Sequence, residues 1–166
     1  MTVAPVPDVS GLVVGILGGT GDQGRGLAYR FARAGQRVVI GSRDATRAQT
    51  AAAEIAAMPG VTGSVTGAAN AEAAASSDVV IVAVPWAAHA DTLAPLAGPL
   101  AGKIVVDCVN PLGFDAQGPF ALPVPEGSAA QQAAALLPES RVCAAFHHVS
   151  AVLLADPAVE SFELDG

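Results

Sequence analysis

The sequence predicts an α/β fold, a doubly wound and mostly parallel sheet with helices on both faces. Three observations carry this. Short apolar runs of strand length alternate with helical stretches along most of the chain. The first run, Leu12 to Leu17, ends in a glycine turn. That turn opens a helix that leads into a second apolar run, Val38 to Ile40. Strand, glycine turn, helix and strand in this order form a βαβ unit, which makes the expected fold Rossmann-like.

Within the unit, Gly19, Gly21 and Gly24 stand as GxGxxG. Each position meets a separate demand: a tight turn, backbone approach to a diphosphate, and close packing of helix on strand. The helix begins near Asp22, so its unpaired amides and positive dipole end point at whatever occupies the turn, and an anion belongs there. Leu27 and Phe31 lie four apart on one helix face, and Gly35 supplies the stop. The chain has 18 glycines, so the spacing alone decides little; its place between two strands does.

The end of the second strand discriminates the ligand. An NAD-binding chain places Asp or Glu there for the ribose 2′-hydroxyl, whereas this one has Gly41, Ser42 and Arg43. Ser42 can donate to a 2′-phosphate, Arg43 can pair with it and stack on adenine, and Arg47 lies one helical turn on. NADP(H) is the expected cofactor, with Asp44 partly opposing it. The competing reading of Arg43 and Arg47 is solvated surface charge.

The next elements follow the same alternation. Ala45 to Met58 reads as a helix ended by Pro59 and Gly60, Val61 to Thr66 as an exposed edge strand, and Ala71 to Ser76 as a short helix. Asp78 to Val84 should lie beside the first strand, just past the reversal of strand order, so that Pro85 and Trp86 wall a cleft at its end. A lone Trp also fits a core or lid role. His89 to Ala97 is the following helix, with His89 a surface or capping group.

Lys103 to Cys108 is a fifth strand, and the loop from Val109 to Gly113 again points into the cleft. Gly118 to Gly127 reads as a proline-rich surface loop, and Ser128 caps a helix to Leu137. Arg141 to Phe146 is strand six. His147 and His148 follow it and, as neighbours on extended chain, point to opposite faces, which argues against a shared metal. No GxSxG, paired carboxylate motif or metal-ligand cluster appears, and Tyr29 is followed four residues later by Arg33 where a short-chain dehydrogenase has lysine.

Composition bounds these readings. At 166 residues the chain suits one domain, expected over 11–166 after a disordered lead-in over 1–10. Its 52% hydrophobic content is largely alanine, and the longest apolar stretch is far below the ~18 residues of a membrane span. No signal peptide pattern opens the chain, so a cytoplasmic protein is expected. Cys108 and Cys143 each close an apolar run and read as buried, reduced thiols. A net charge of −7 argues against nucleic acid as a partner. Six of the eight basic residues nevertheless fall in the opening unit, which puts a positive field where phosphates should sit.

The run GGTGDQGRGLAYRFARAGQRVVIGSR, followed by VAVPW after the fourth strand and AFHHVSA after the sixth, resembles the F420-dependent NADP oxidoreductases, also called NADPH-dependent F420 reductases, over nearly the whole chain. The resemblance implies that Thr20, Gly21, Asp22 and Gln23 hold the NADP diphosphate while Ser42, Arg43 and Arg47 take the 2′-phosphate. His147 and Val149 would fall where the family places the deazaflavin coenzyme F420 against the nicotinamide, with Trp86 and the loop at Asn110, Pro111 and Leu112 lining the cleft. The implied reaction is hydride transfer between nicotinamide C4 and deazaflavin C5, with His147 the candidate catalytic residue, either delivering a proton or hydrogen-bonding the ring. Ser150 stands where the family pattern has proline.

Family members also continue beyond the sequence matched here, with a strand and helices that cover the deazaflavin site and build a dimer contact, and those elements are expected to be absent. Two other readings stay open from the residues. One is a noncatalytic NADP(H)-binding module or redox sensor. The other is an NADP-dependent reductase of another substrate, such as an imine or ferric chelate.

Overall fold

The computed structural model describes residues 7–161. The lead-in expected over 1–10 falls largely on residues 1–6, outside the described residues; beyond them, the Val9 carbonyl accepts from Gln36 Nε2 at 2.8 Å.

The chain opens with β1 (Val13–Leu17), α1 (Asp22–Arg33), β2 (Arg37–Ser42), α2 (Ala45–Ala56), β3 (Val65–Ala69), α3 (Asn70–Ser76) and β4 (Val79–Val82). It continues with α4 (His89–Leu93), α5 (Ala97–Leu100), β5 (Ile104–Asp107), the pair β6 (Leu112–Asp115) and β7 (Gly118–Ala121), α6 (Ala129–Leu136), β8 (Arg141–Ala144) and α7 (Ala151–Ala155). Six strands form one parallel sheet in the order β3-β2-β1-β4-β5-β8, so strand order reverses between β1 and β4. Leu17 pairs with both Gly41 and Val82, which brings the ends of β1, β2 and β4 level at that crevice.

Alternation along the strands feeds two cores, one on each face. Ile16, Ile40 and Ile81 pack with Leu27, Tyr29 and Ile55 on the α1/α2 side, while Leu17, Val80 and Val82 pack with Leu93, Leu100 and Leu137 on the other. Each fully buried isoleucine or leucine contributes about 1.5–3 kcal/mol. Tyr29 is one of these core residues: its hydroxyl donates to the Pro59 carbonyl at 2.9 Å, which ties α1 to the end of α2.

Four expectations are corrected. The third strand starts four residues late, because the amides of Thr62 and Gly63 donate to the Ala32 carbonyl and fasten that segment to the end of α1; pairing begins only where Ser64 accepts from the Val38 amide. The helix expected over His89–Ala97 is broken into α4, a 3-10 turn at Ala94–Leu96 and α5, since Pro95 and Pro99 lack the amide that continuation needs. The surface loop expected over Gly118 to Gly127 begins instead as β7, which pairs with β6 in a free-standing antiparallel hairpin where Pro119 is tolerated opposite Phe114. Cys143 is exposed, whereas Cys108 is buried as expected.

α7 lies against α1, with Leu154 beside Gly26. Arg30 fastens it by donating to the carbonyls of Leu154 at 2.7 Å, Leu153 at 2.7 Å and Asp156 at 2.9 Å, and Arg33 adds one to Pro157 at 2.9 Å. No described helix is long and apolar enough to cross a membrane.

Candidate functional site

Two adjoining clefts open at the C-terminal ends of the strands. The larger, about 660 Å³, runs from the glycine turn to Ser42, Arg43 and Arg47. Gly19 sits beneath this turn, its amide bonded to the carbonyls of Ile16 and Gly41, and Gly24 lies under it at the start of α1. A methyl group on Gly24 would stand 2.7 Å from Gly18 O and Gly19 Cα, so packing alone demands glycine there. Gly21 differs. Its backbone is extended at φ −83°, and a methyl group would meet nothing closer than 3.5 Å. Neither backbone conformation nor packing requires glycine at Gly21; glycine is preferred to alanine at a helix N-cap and keeps the turn open. Gly21 is the N-cap of α1, and no side chain caps the helix. The first-turn amides, including those of Asp22 and Gln23, are thus left to an anion.

At the other end of the cleft, Ser42 is buried and its Oγ accepts from the Asp44 amide at 3.2 Å, which leaves its proton to donate outward. Arg43 and Arg47 are exposed and line the cleft. Asp44 lines the cleft beside them and also caps α2, accepting from the amides of Thr46 and Arg47. The basic field is narrower than the sequence count implied. Arg25 pairs with Glu54, Arg37 donates to the Gly11 carbonyl, and Arg30 and Arg33 hold the segment after β8. Two arginines of the six reach the cleft.

The smaller cleft, about 310 Å³, shares Gln23, Ala83, Val84 and Pro85 with the larger. Trp86 walls one side; Val109, Asn110, Phe146, His147 and Val149 wall the other. Asn110 Nδ2 donates to the His147 carbonyl at 3.1 Å and fixes this wall. Phe146 turns the chain with φ at 66°, a conformation that disfavours any residue but glycine, and its ring meets Phe31 edge to face at 6.3 Å. His148 is exposed and does not line the cleft. Among the described residues no group of three or more His, Cys, Asp or Glu could hold a metal.

Thus the two clefts together gather Thr20, Gly21, Asp22, Gln23, Ser42, Arg43, Arg47, Pro85, Trp86, Asn110, His147 and Val149. Pro111 lines neither, and its carbonyl instead accepts from Leu122 at the base of the hairpin. Asn70, Thr92 and Phe146 also line the clefts. For two of them the signal was positional, since Asn70 opens the helix directly after the C-terminal end of β3 and Thr92 lies in the first turn of α4 after β4.

His89 is the largest correction. It is neither exposed nor a cap but fully buried, with Nε2 2.6 Å from Asp107 Oδ2 and Nδ1 2.9 Å from Gln132 Oε1. Burial opposes the charged ring, yet the Asp107 hydrogen bond, the Gln132 carbonyl and the charges of Asp107 and Glu126 outweigh it and raise the pKa. Nearby, burial and the Asp107 charge push the Cys108 thiol up to about 12.

A family model described as "NADP oxidoreductase coenzyme F420-dependent" matches residues 13–111, more than half of the chain. The chain belongs to this family. The F420-dependent NADP reductase of Methanothermobacter thermautotrophicus is 44% identical over 146 residues, covering 85% of this chain and 63% of that relative. A crystal structure assigned to an F420-dependent NADP reductase of Arthrobacter sp. FB24 superposes with a TM-score of 0.67 at 33% identity, covering 89% of this chain and 67% of that one. The metalloreductase STEAP3 of Rattus norvegicus is 40% identical over 98 residues, 59% of this chain and 18% of its own length. The chain spans 63–66% of the length of the curated F420-dependent NADP reductases it matches.

Proposed function

We propose that the larger cleft binds NADP(H) and that the chain serves hydride transfer between NADP(H) and coenzyme F420 placed in the smaller cleft. The observation that carries this is the junction at Gln23, Ala83, Val84 and Pro85, where a cleft lined by the glycine turn, Ser42, Arg43 and Arg47 runs into a second one walled by Trp86 and His147. The names of the relatives support the choice of F420 as the second ligand.

The two coenzymes supply the carbon that gives the hydride and the carbon that takes it; the chain supplies binding, orientation and exclusion of water. Gly21 and the first-turn amides of α1 hold the diphosphate. Ser42, Arg43 and Arg47 hold the 2′-phosphate and set the preference over NAD(H). Pro85 and Trp86 confine one side of the junction, with Asn110, His147 and Val149 on the other. His147 sits half-buried in that wall, where its ring offers a proton or a hydrogen bond to the second ligand. The same reading includes a homodimer in the cytoplasm.

Visible absorbance of F420 mixed with the chain and either NADPH or NADH tests the proposal. Bleaching with NADPH and not NADH is expected. Bleaching with both would overturn the role of Arg43 and Arg47, and bleaching with neither while NADPH binds would overturn the reaction. The similarity to a metalloreductase favours one second reading, reduction of a ferric chelate by NADPH, and inhibition of that reaction by F420 would separate the two.

A further inference from the structure

The buried pair His89–Asp107 has no part in the proposed hydride transfer, yet it joins the two walls of the smaller cleft. Gln132 Nε2 donates to Glu126 Oε2 at 3.3 Å, and a carboxylate only accepts, so the Gln132 carbonyl is the group turned to His89 Nδ1. The other ring nitrogen faces Asp107 Oδ2. A ring that satisfies both acceptors carries two protons and forms an ion pair with Asp107.

Two contacts lead outward from the pair. Asp107 Oδ1 accepts from the Val109 amide at 2.9 Å, fixing the turn that carries Val109 and Asn110 to the cleft. On the other side the Trp86 ring lies 5.3 Å from the His89 ring with their planes 32° apart, an aromatic face against a cation.

We propose that His89 and Asp107 are positioning residues: while His89 is protonated it holds Trp86 and the Val109–Asn110 turn in place, and deprotonation releases both walls of the smaller cleft. Its consequence for catalysis rests on the proposed function; its consequence for the walls does not. The groups that act on the ring are Asp107 from β5, Gln132 from α6 and Glu126 from the turn before α6, and together they keep it charged above its usual value of 6.5 despite burial.

Trp86 is the single tryptophan, and an imidazolium in contact quenches indole emission more strongly than the neutral ring does. Three curves against pH test the proposal on the full chain: Trp86 emission, acrylamide quenching of Trp86, and the KM for F420 at saturating NADPH. All three are expected to rise through one midpoint above 6.5. Glu126→Gln, a substitution at an exposed carboxylate, should move the three together to lower pH by a few tenths of a unit, which a purely structural role for His89 would not do. His89→Gln should show no transition in emission.

Absence of an emission transition in the native chain overturns the proposal. So does acrylamide quenching that stays flat across the transition, or a Glu126→Gln shift in emission that the other curves do not follow. If F420 is not turned over at any pH, the hydride-transfer reading fails, and the emission and acrylamide curves alone decide the role of His89.

Discussion

The carboxylate of Asp44 accepts from the Arg47 amide at 3.3 Å, so the one acid between Arg43 and Arg47 caps its own helix while it lines the cleft they share. In the proposed reading the two cations beside Ser42 take the 2′-phosphate, a contribution separable from the rest. Arg43→Ala and Arg47→Ala should each weaken NADPH binding by about tenfold or more, the loss of one charged hydrogen bond of about 1.5–3 kcal/mol, and leave NADH binding unchanged. Isothermal titration with both nucleotides checks this. Asp44→Ala should instead lower stability by about 0.5–2 kcal/mol through the lost cap.

Gly21 and Gly24 belong to one motif but should fail differently. Gly24→Ala pushes a methyl group against the backbone of Gly18 and Gly19, so the melting temperature should fall. Gly21→Ala has room in the protein and should lose only the N-cap preference, about 1 kcal/mol, while losing NADPH binding. Parallel melting and titration curves read both, and a Gly21→Ala chain that binds NADPH as the native chain does would remove the ligand as a reason for that glycine.

The His89–Asp107 pair makes stability depend on pH in a stated direction. The folded pKa of His89 lies above the unfolded value of 6.5, so the folded state binds the proton more tightly. Its contribution is whole below about 6.5 and is lost as pH rises through the folded pKa. Denaturant midpoints across pH 6 to 10 should therefore fall for the native chain by more than for His89→Gln. Asp107→Asn leaves the buried cation unpaired and should cost about 3–5 kcal/mol at neutral pH.

The two cysteines should separate by reactivity. Cys108 is buried, its thiol donates to the Val82 carbonyl at 3.0 Å, and its pKa is pushed up to about 12, so almost no thiolate exists at pH 8. Cys143 is exposed. Alkylation of the native chain should modify one thiol, mapped by mass spectrometry to Cys143, and both after denaturation.

Local chemistry made the βαβ unit and the residues of the larger cleft legible in the sequence, because glycine spacing, strand periodicity and the Ser42–Arg43 pair act over a few positions. The start of β3 was hidden because its edge is set by hydrogen bonds from Thr62 and Gly63 to the distant end of α1. His89 was misread for the same kind of reason. Its burial depends on Asp107 and Gln132, 18 and 43 residues away, and no local pattern links them. Arg30 and Arg33 of α1 looked like part of a phosphate field until their partners after β8 were in view.

Phe146 offers a test of how the His147 wall is held. Its φ of 66° disfavours a side chain, yet its ring is anchored on Phe31. Alanine at this position loses the ring and keeps the strain, while glycine loses the ring and the strain together. Phe146→Gly should therefore be more stable than Phe146→Ala by about 1 kcal/mol, the reverse of their order in ordinary extended or helical backbone. Both should raise the KM for F420 more than that for NADPH, because His147 and Val149 follow Phe146 into the smaller cleft while Ser42, Arg43 and Arg47 line the larger one. Equal stability of the two variants would mean that the turn relaxes without its ring, and that the ring and not the backbone holds His147 in the wall.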